Sequence, residues 1–113
     1  MNKFNAQNKK RTIVDYHKLP VDLKEQLKLV NSDGLHDDII TYKDSKGHQI
    51  SALRLETDDV VYMVRMSKEL AFQIMDEDDD FNDDYSLKSG KMKKYIDKHG
   101  DIDYISEDKN NSK

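Results

Sequence analysis

Apolar residues along this chain alternate with polar ones, then recur every three or four positions, then alternate again, and lose both rhythms after Met75. The first alternation is Thr12-Ile13-Val14-Asp15-Tyr16. It is β-branched and aromatic, and its length suits a strand over residues 11–16. Leu19, Leu23, Leu27 and Val30 then fall on one helical face, with Asp22, Lys24, Glu25 and Lys28 elsewhere. Pro20 suits the first helical turn, where its missing N–H has no intrahelical partner in any case. Asp22 and Glu25 favour the positive end of the helix dipole, and Asn31-Ser32-Asp33-Gly34 supplies a stop. The pattern predicts a helix over about 20–31.

Three strand-like runs follow, residues 38–43, 48–56 and 60–66, separated by Asp44-Ser45-Lys46-Gly47 and Thr57-Asp58-Asp59, both with turn chemistry. A three-stranded meander is the simplest arrangement. In the last run Val61 and Met63 face one way and Tyr62, Val64 and Met66 the other, which predicts a central strand covered on both sides. The middle run places Ile50 and Ala52 on one face and Leu53 and Leu55 on the other, a pattern that fits either two-sided burial or a bulge. Ser67 is an N-cap candidate for a short second helix carrying Leu70 and Ile74, with Phe72 or Met75. Leu23, Leu27, Ile39, Leu53 and Val64 are the expected core. The fold expected is α+β: strand, helix, three-stranded meander, short second helix and a charged C-terminal tail.

Charge sharpens the boundary. Residues 1–75 carry a net charge of +1 and residues 76–113 carry −5, so the excess negative charge of the chain lies behind Met75. It begins with Asp76, Glu77, Asp78, Asp79, Asp80, Asp83 and Asp84, seven carboxylates within residues 76–84. Such a run repels itself and buries no apolar surface, so it is expected to be solvated or held by a partner. The domain reading is a disordered arm over 1–10, a small α+β domain over 11–75, and a mostly flexible tail over 76–113. In that tail, residues 88–98 carry Lys88, Lys91, Lys93, Lys94 and Lys98 with Met92, Tyr95 and Ile96, enough for a turn or two of amphipathic helix. Those lysines are expected to fold back on the acidic run. Ile102, Tyr104 and Ile105 fit a brief extended segment.

Composition excludes several functions. No cysteine is present, so there is neither a disulfide nor a thiolate metal site, which fits a reducing compartment. The first residues are polar and basic, unlike a secretory signal, and no segment approaches the ~20 apolar residues of a membrane span, so a cytoplasmic protein with no membrane partner is expected. A net charge of −4 argues against direct nucleic-acid binding. Tyr16, Tyr42 and Tyr62 sit one to a strand, where cross-strand packing accounts for them better than base stacking does.

Asp76, Asp78 and Asp80 occupy the first, third and fifth places of a calcium loop, but Phe81 stands where the sharp turn needs glycine and Leu87 where a bidentate glutamate is needed. A weak divalent site is all that could remain there. His17, His36, His48 and His99 lie too far apart for a zinc pattern, and His36-Asp37-Asp38 reads as a turn. No nucleophile elbow, dinucleotide fingerprint or phosphate loop occurs. Neither a catalytic residue, a cofactor nor a metal is therefore assigned.

The strings Ile13-Val14-Asp15-Tyr16-x-Lys18-Leu19, Asp33-Gly34, Asp37-Asp38-Ile39-Ile40 and Thr57-x-Asp59-x-x-Tyr62-x-Val64-x-Met66-Ser67 resemble a group of small bacterial proteins with an acidic C-terminal segment and no assigned function. The resemblance spans residues 12–84 and rests on structural motifs. It implies a cytoplasmic bacterial protein, and the lysine-containing extension from Tyr85 departs from it. The function expected is a non-enzymatic protein-interaction module that binds through its sheet and through Asp76, Glu77, Asp78, Asp79, Asp80, Asp83 and Asp84. Its partner would be a protein with a basic surface, or a second copy of the chain. The alternatives are an acidic nucleic-acid mimic that inhibits a DNA- or RNA-binding protein, and a small ligand-binding domain or enzyme.

Overall fold

The computed structural model describes residues 9–102 together with 104 and 105. Along the chain lie β1 (Lys10–Asp15), a 3-10 turn (Tyr16–Lys18), α1 (Val21–Val30), a second 3-10 turn (Leu35–Asp38), β2 (Ile40–Lys43), β3 (Gln49–Glu56), β4 (Val60–Arg65), α2 (Lys68–Glu77) and α3 (Ser89–His99). This is the α+β class expected. The one sheet has the order β1-β4-β3-β2. β2, β3 and β4 form the antiparallel meander, and β1 adds to it in parallel, with Ile13 opposite Met63 and Asp15 opposite Arg65.

The turns are built by the residues that signalled them. Asp44 accepts backbone N–H groups from Lys46 and His48, and Gly47 takes φ +84° to close the β2–β3 hairpin. Thr57 caps the β3–β4 turn by exchanging hydrogen bonds with Val60. Ser67 caps α2 through Leu70 N–H at 3.0 Å. Register runs without interruption from Ala52–Arg65 to Glu56–Val61, so the double-faced pattern of β3 reflects two-sided burial and no bulge. β4 is central, as its two apolar faces required.

The main core lies between one sheet face and the helices. Leu53, Leu55 and Val64 meet Leu27 and Leu29 of α1, Leu35 of the second 3-10 turn, and Ala71, Ile74 and Met75 of α2. Of the expected core, Leu27, Leu53 and Val64 are fully buried, while Leu23 and Ile39 are half-buried at its edge. Gly34 has φ +129°, and a Cβ there would come within 2.6 Å of the His36 ring, so both the backbone and the close approach require glycine.

The division into a domain over 11–75 and a flexible tail over 76–113 needs correction. The folded unit continues past Met75. Phe81 and Leu87 are buried and form a β-bridge, and Leu87 N–H reaches Ser32 C=O at 2.8 Å. α3 is a helix of 11 residues packed on α1, with Tyr95 and His99 buried. Ile102, Tyr104 and Ile105 are not extended: Ile105 is buried and donates to Ile102 C=O at 3.0 Å, as in a turn. Residues 76–102 with Tyr104 and Ile105 supply a layer that covers the far side of α1, which explains why Gln26 and Lys28 are buried although they lie off its leucine stripe. The arm expected over 1–10 is shortened at its end, because Lys10 opens β1, and residues 1–8 lie outside the described residues, as do 106–113 of the tail.

Two measurements check this layout. Leu27→Ala, at a fully buried position, should cost about 2–4 kcal/mol by chemical denaturation. Ending the chain after Leu87 should abolish cooperative unfolding, because it strips α3 from α1 and uncovers Lys28; a domain with independent tail would unfold as before.

Candidate functional site

The acidic run turns half inward. Lys28 projects from α1 into a closed setting, where its Nζ meets Asp78 Oδ2 at 2.5 Å and Asp80 Oδ2 at 2.9 Å. Tyr95 of α3 donates its hydroxyl to the same Asp80 oxygen at 2.6 Å, and Lys91 stands 3.6 Å from the other. Burial alone would raise the Asp80 carboxyl, but the Tyr95 hydroxyl and the Lys28 ammonium outweigh it and hold the group below the usual carboxylate range. Burial would likewise lower Lys28, and the hydrogen bonds it donates to Asp78 and Asp80 outweigh that, so the ammonium is held charged. Burial and the Asp80 carboxylate both push Tyr95 up, which keeps its proton on the phenol. The position weighed for a divalent cation is thus filled by an ammonium of the chain itself.

The other run members divide. Asp78 also accepts Asp80 N–H at 2.9 Å, and Asp84 accepts the Ser86 N–H and hydroxyl, so both organise loop backbone. Asp76, Glu77, Asp79, Asp83 and Asp84 stay exposed, but the inward turn of Asp78 and Asp80 breaks the row. The expected fold-back of lysines on this run holds for Lys91 alone among those with ion pairs; Lys98 instead reaches Glu25 at 2.9 Å and Asp22 at 3.4 Å on α1.

His99, buried, adds a contact from Nε2 to Glu25 Oε1 at 2.8 Å. Asp22, Glu25 and His99 offer three ligand atoms within 4.8 Å of one another, a grouping the spacing of the histidines did not suggest because it joins two helices. Lys98 already pairs with both carboxylates, so the cluster acts as an ion-paired clamp between α1 and α3. His17, His36 and His48 stay apart from it. His36 lies against the rings of Phe72 and Tyr85, at centroid distances of 4.7 and 5.9 Å.

The opposite face of the sheet has no helix on it among the described residues. Strand register places Arg11, Ile13 and Asp15 of β1 beside Val61, Met63 and Arg65 of β4, then Glu56, Arg54, Ala52 and Ile50 of β3, then Ile40 and Tyr42 of β2. Ala52, Val61 and Met63 form a small cluster of their own, buried by the flanking side chains and by Tyr42. Ile13 and Ile40, on the two edge strands, remain 48% and 44% exposed. Between them lies a concavity of about 510 Å³ lined by Arg11, Ile13, Ile40, Tyr42, Arg54 and Met63. The Tyr42 hydroxyl is buried with no hydrogen-bond partner among the described residues.

Charges on this face are unequally matched. Asp15 is taken by Arg65 at 3.0 Å, and Glu56 by Arg54 and Lys9, each at 2.9 Å. Arg11 has no ion-pair partner among the described residues, and the lining of the concavity contains two guanidiniums and no carboxylate. The sequence announced the alternation that builds this face, in Ile13, Val61 and Met63. It did not announce that the helices all choose the other side, which left the arginines unweighed as a group.

No family model, curated protein or solved structure matches the chain. Among the described residues no helix is long and apolar enough to cross a membrane.

The inward network makes a prediction about pH. The stability contributed by Asp80 is complete above 3.8, the ordinary carboxyl value, and is lost as pH falls through its lowered value in the folded chain. That of Lys28 is complete below 10.5 and is lost as pH rises through its raised value. Asp80→Asn should cost about 1.5–3 kcal/mol at neutral pH, the range for a lost hydrogen bond to a charged group, because Lys28 keeps Asp78 at 2.5 Å. It should also flatten the acid limb of a melting-temperature profile; an unaltered profile would show that other carboxylates set that limb.

Proposed function

We propose that this protein is a non-enzymatic interaction module whose docking surface is the uncovered face of its sheet. The observation that carries the reading is the exposed Ile13 and Ile40 on either side of a concave apolar centre, on a face that no described helix covers. Exposed apolar groups gathered in one patch mark binding surfaces more often than the same groups scattered singly do. The α1 side of the sheet uses the same combination, branched aliphatic side chains on paired strands, to hold its own helices.

The acidic run contributes less to this reading than its composition promised. Asp78 and Asp80 are committed to Lys28, so a continuous carboxylate row of the kind a nucleic-acid mimic presents to a basic groove is interrupted at its middle. Asp76, Glu77, Asp79 and Asp83 remain as exposed charges that would tune association rates and salt dependence.

The test compares the full chain with its Ile13→Asp/Ile40→Asp variant in affinity capture from an extract of the source cells. Both substitutions are at exposed positions, so the variant should keep its denaturation midpoint within about 1 kcal/mol of stability. The expected result is capture by the parent chain of a protein that the variant loses. Equal capture by both would move the binding surface elsewhere, and its dependence on Asp76, Glu77 and Asp79 would then be the next measurement.

A further inference from the structure

Resting on the reading of the open sheet face as the docking surface, we infer that its partner is an amphipathic α-helix whose apolar stripe is flanked by carboxylates. The chemistry of the face selects this occupant step by step. Its apolar lining, Met63 with Ile13 and Ile40 on the edge strands, calls for apolar side chains. Both carboxylates on the face are already engaged by Arg65, Arg54 and Lys9, and Arg11, whose charge only adds to the field on Glu56, has no ion pair of its own among the described residues. The charge left to be matched is therefore positive, even though the chain as a whole is acidic at −4. A guanidinium recognises a carboxylate through paired N–H donors, so a side chain of Asp or Glu is the complement.

Geometry favours a helix over the other forms such a partner could take. The strands of the face have their backbone groups paired within the sheet, so an incoming segment on this face gains side-chain contacts only and must satisfy its own backbone. A helix does so, and at roughly 10 Å across it fits a sheet about 19 Å wide, four strands at ~4.8 Å. An extended segment would pair at the edges, along β1 or β2, and leave the concavity unfilled. A second copy of the chain fits poorly. Face-to-face contact would bring two surfaces with the same excess of guanidinium over free carboxylate together. Bases of a single-stranded nucleic acid would need exposed aromatic planes, and Tyr42, with its hydroxyl buried, is the one aromatic residue in the lining.

A library of helical peptides displayed on phage, with randomised exposed positions, tests this directly. Selection uses the full chain, and clones that also bind the Ile13→Asp/Ile40→Asp variant are removed. The result expected is enrichment of clones with apolar residues at i, i+3, i+4 and i+7 and an excess of Asp and Glu beside that stripe. Binding should weaken about tenfold or more on Arg11→Glu, and should weaken with added salt, while a clone in which the acids are replaced by lysine fails to bind. Arg11 is exposed, and amide spectra of the variant will show the parent fold retained.

Three results overturn the inference. Face-dependent clones with no excess of acidic residues, or binding indifferent to Arg11→Glu, reject the carboxylate-flanked partner and leave the docking face standing. Sedimentation of the chain as a dimer that Ile13→Asp dissociates assigns the face to a second copy. Absence of any clone that depends on Ile13 and Ile40 rejects the helix, and the docking face falls with it only if capture from extract is also indifferent to the same two substitutions.

Discussion

One buried ammonium organises the half of this protein that lies behind its sheet. Lys28 leaves α1 on the side away from the strands, and without a partner an enclosed cation at that depth would unfold the helix that carries it or lose its proton. Asp78 and Asp80 meet it from the loop after α2, and Tyr95 reaches the same carboxylate from α3. Three segments distant in sequence are thereby fixed at one point. The ion pair itself adds little net stability once desolvation is counted. Its effect is to forbid alternatives, since any displacement of the loop or of α3 strands a charge. The contacts of Lys98 and His99 with Glu25 tie the C-terminal end of α3 to α1 directly, so α3 is fixed by polar groups at two places, at the loop through Tyr95 and at α1 through this pair.

This arrangement explains which parts of the fold were legible in the sequence. Elements whose residues act locally were plain: the leucine spacing of α1, the Asp44 to Gly47 and Thr57 turns, the Ser67 cap, and the two apolar faces that placed β4 at the centre. Hydrophobic period and turn chemistry are properties of neighbouring residues, and they survive being read one window at a time. The segment from Asp76 to Ile105 was misread because its order comes from pairs far apart in the chain. Seven carboxylates in a row look solvated until the lysine that two of them answer is known to be enclosed, and Lys28 and Asp80 are separated by 52 positions. Lysine on a helix is ordinarily an exposed residue, so nothing nearby marked Lys28 as different.

The open face was half legible for a related reason. Alternation told that Val61 and Met63 are turned from Tyr62 and Val64, and so that the sheet has a second apolar side. Whether that side would be covered depends on where the helices lie, and every described helix is needed on the Lys28 side. The two sides of the sheet are therefore linked in how the chain is allotted: closing a polar centre behind α1 uses α3, a helix of 11 residues that could otherwise have served as the missing layer.

The parallel pairing of β1 with β4 carries a consequence for the open face. Asp15 and Arg65 are 50 positions apart, so pairing β1 with β4 closes a longer loop, at a higher cost in chain entropy, than either hairpin of the meander does. Yet β1 brings Arg11 and Ile13, and without them the concavity has neither its unmatched cation nor one of its walls. The docking face proposed above is therefore complete only once β1 has joined the meander, through the pairing that closes the longest loop in the sheet.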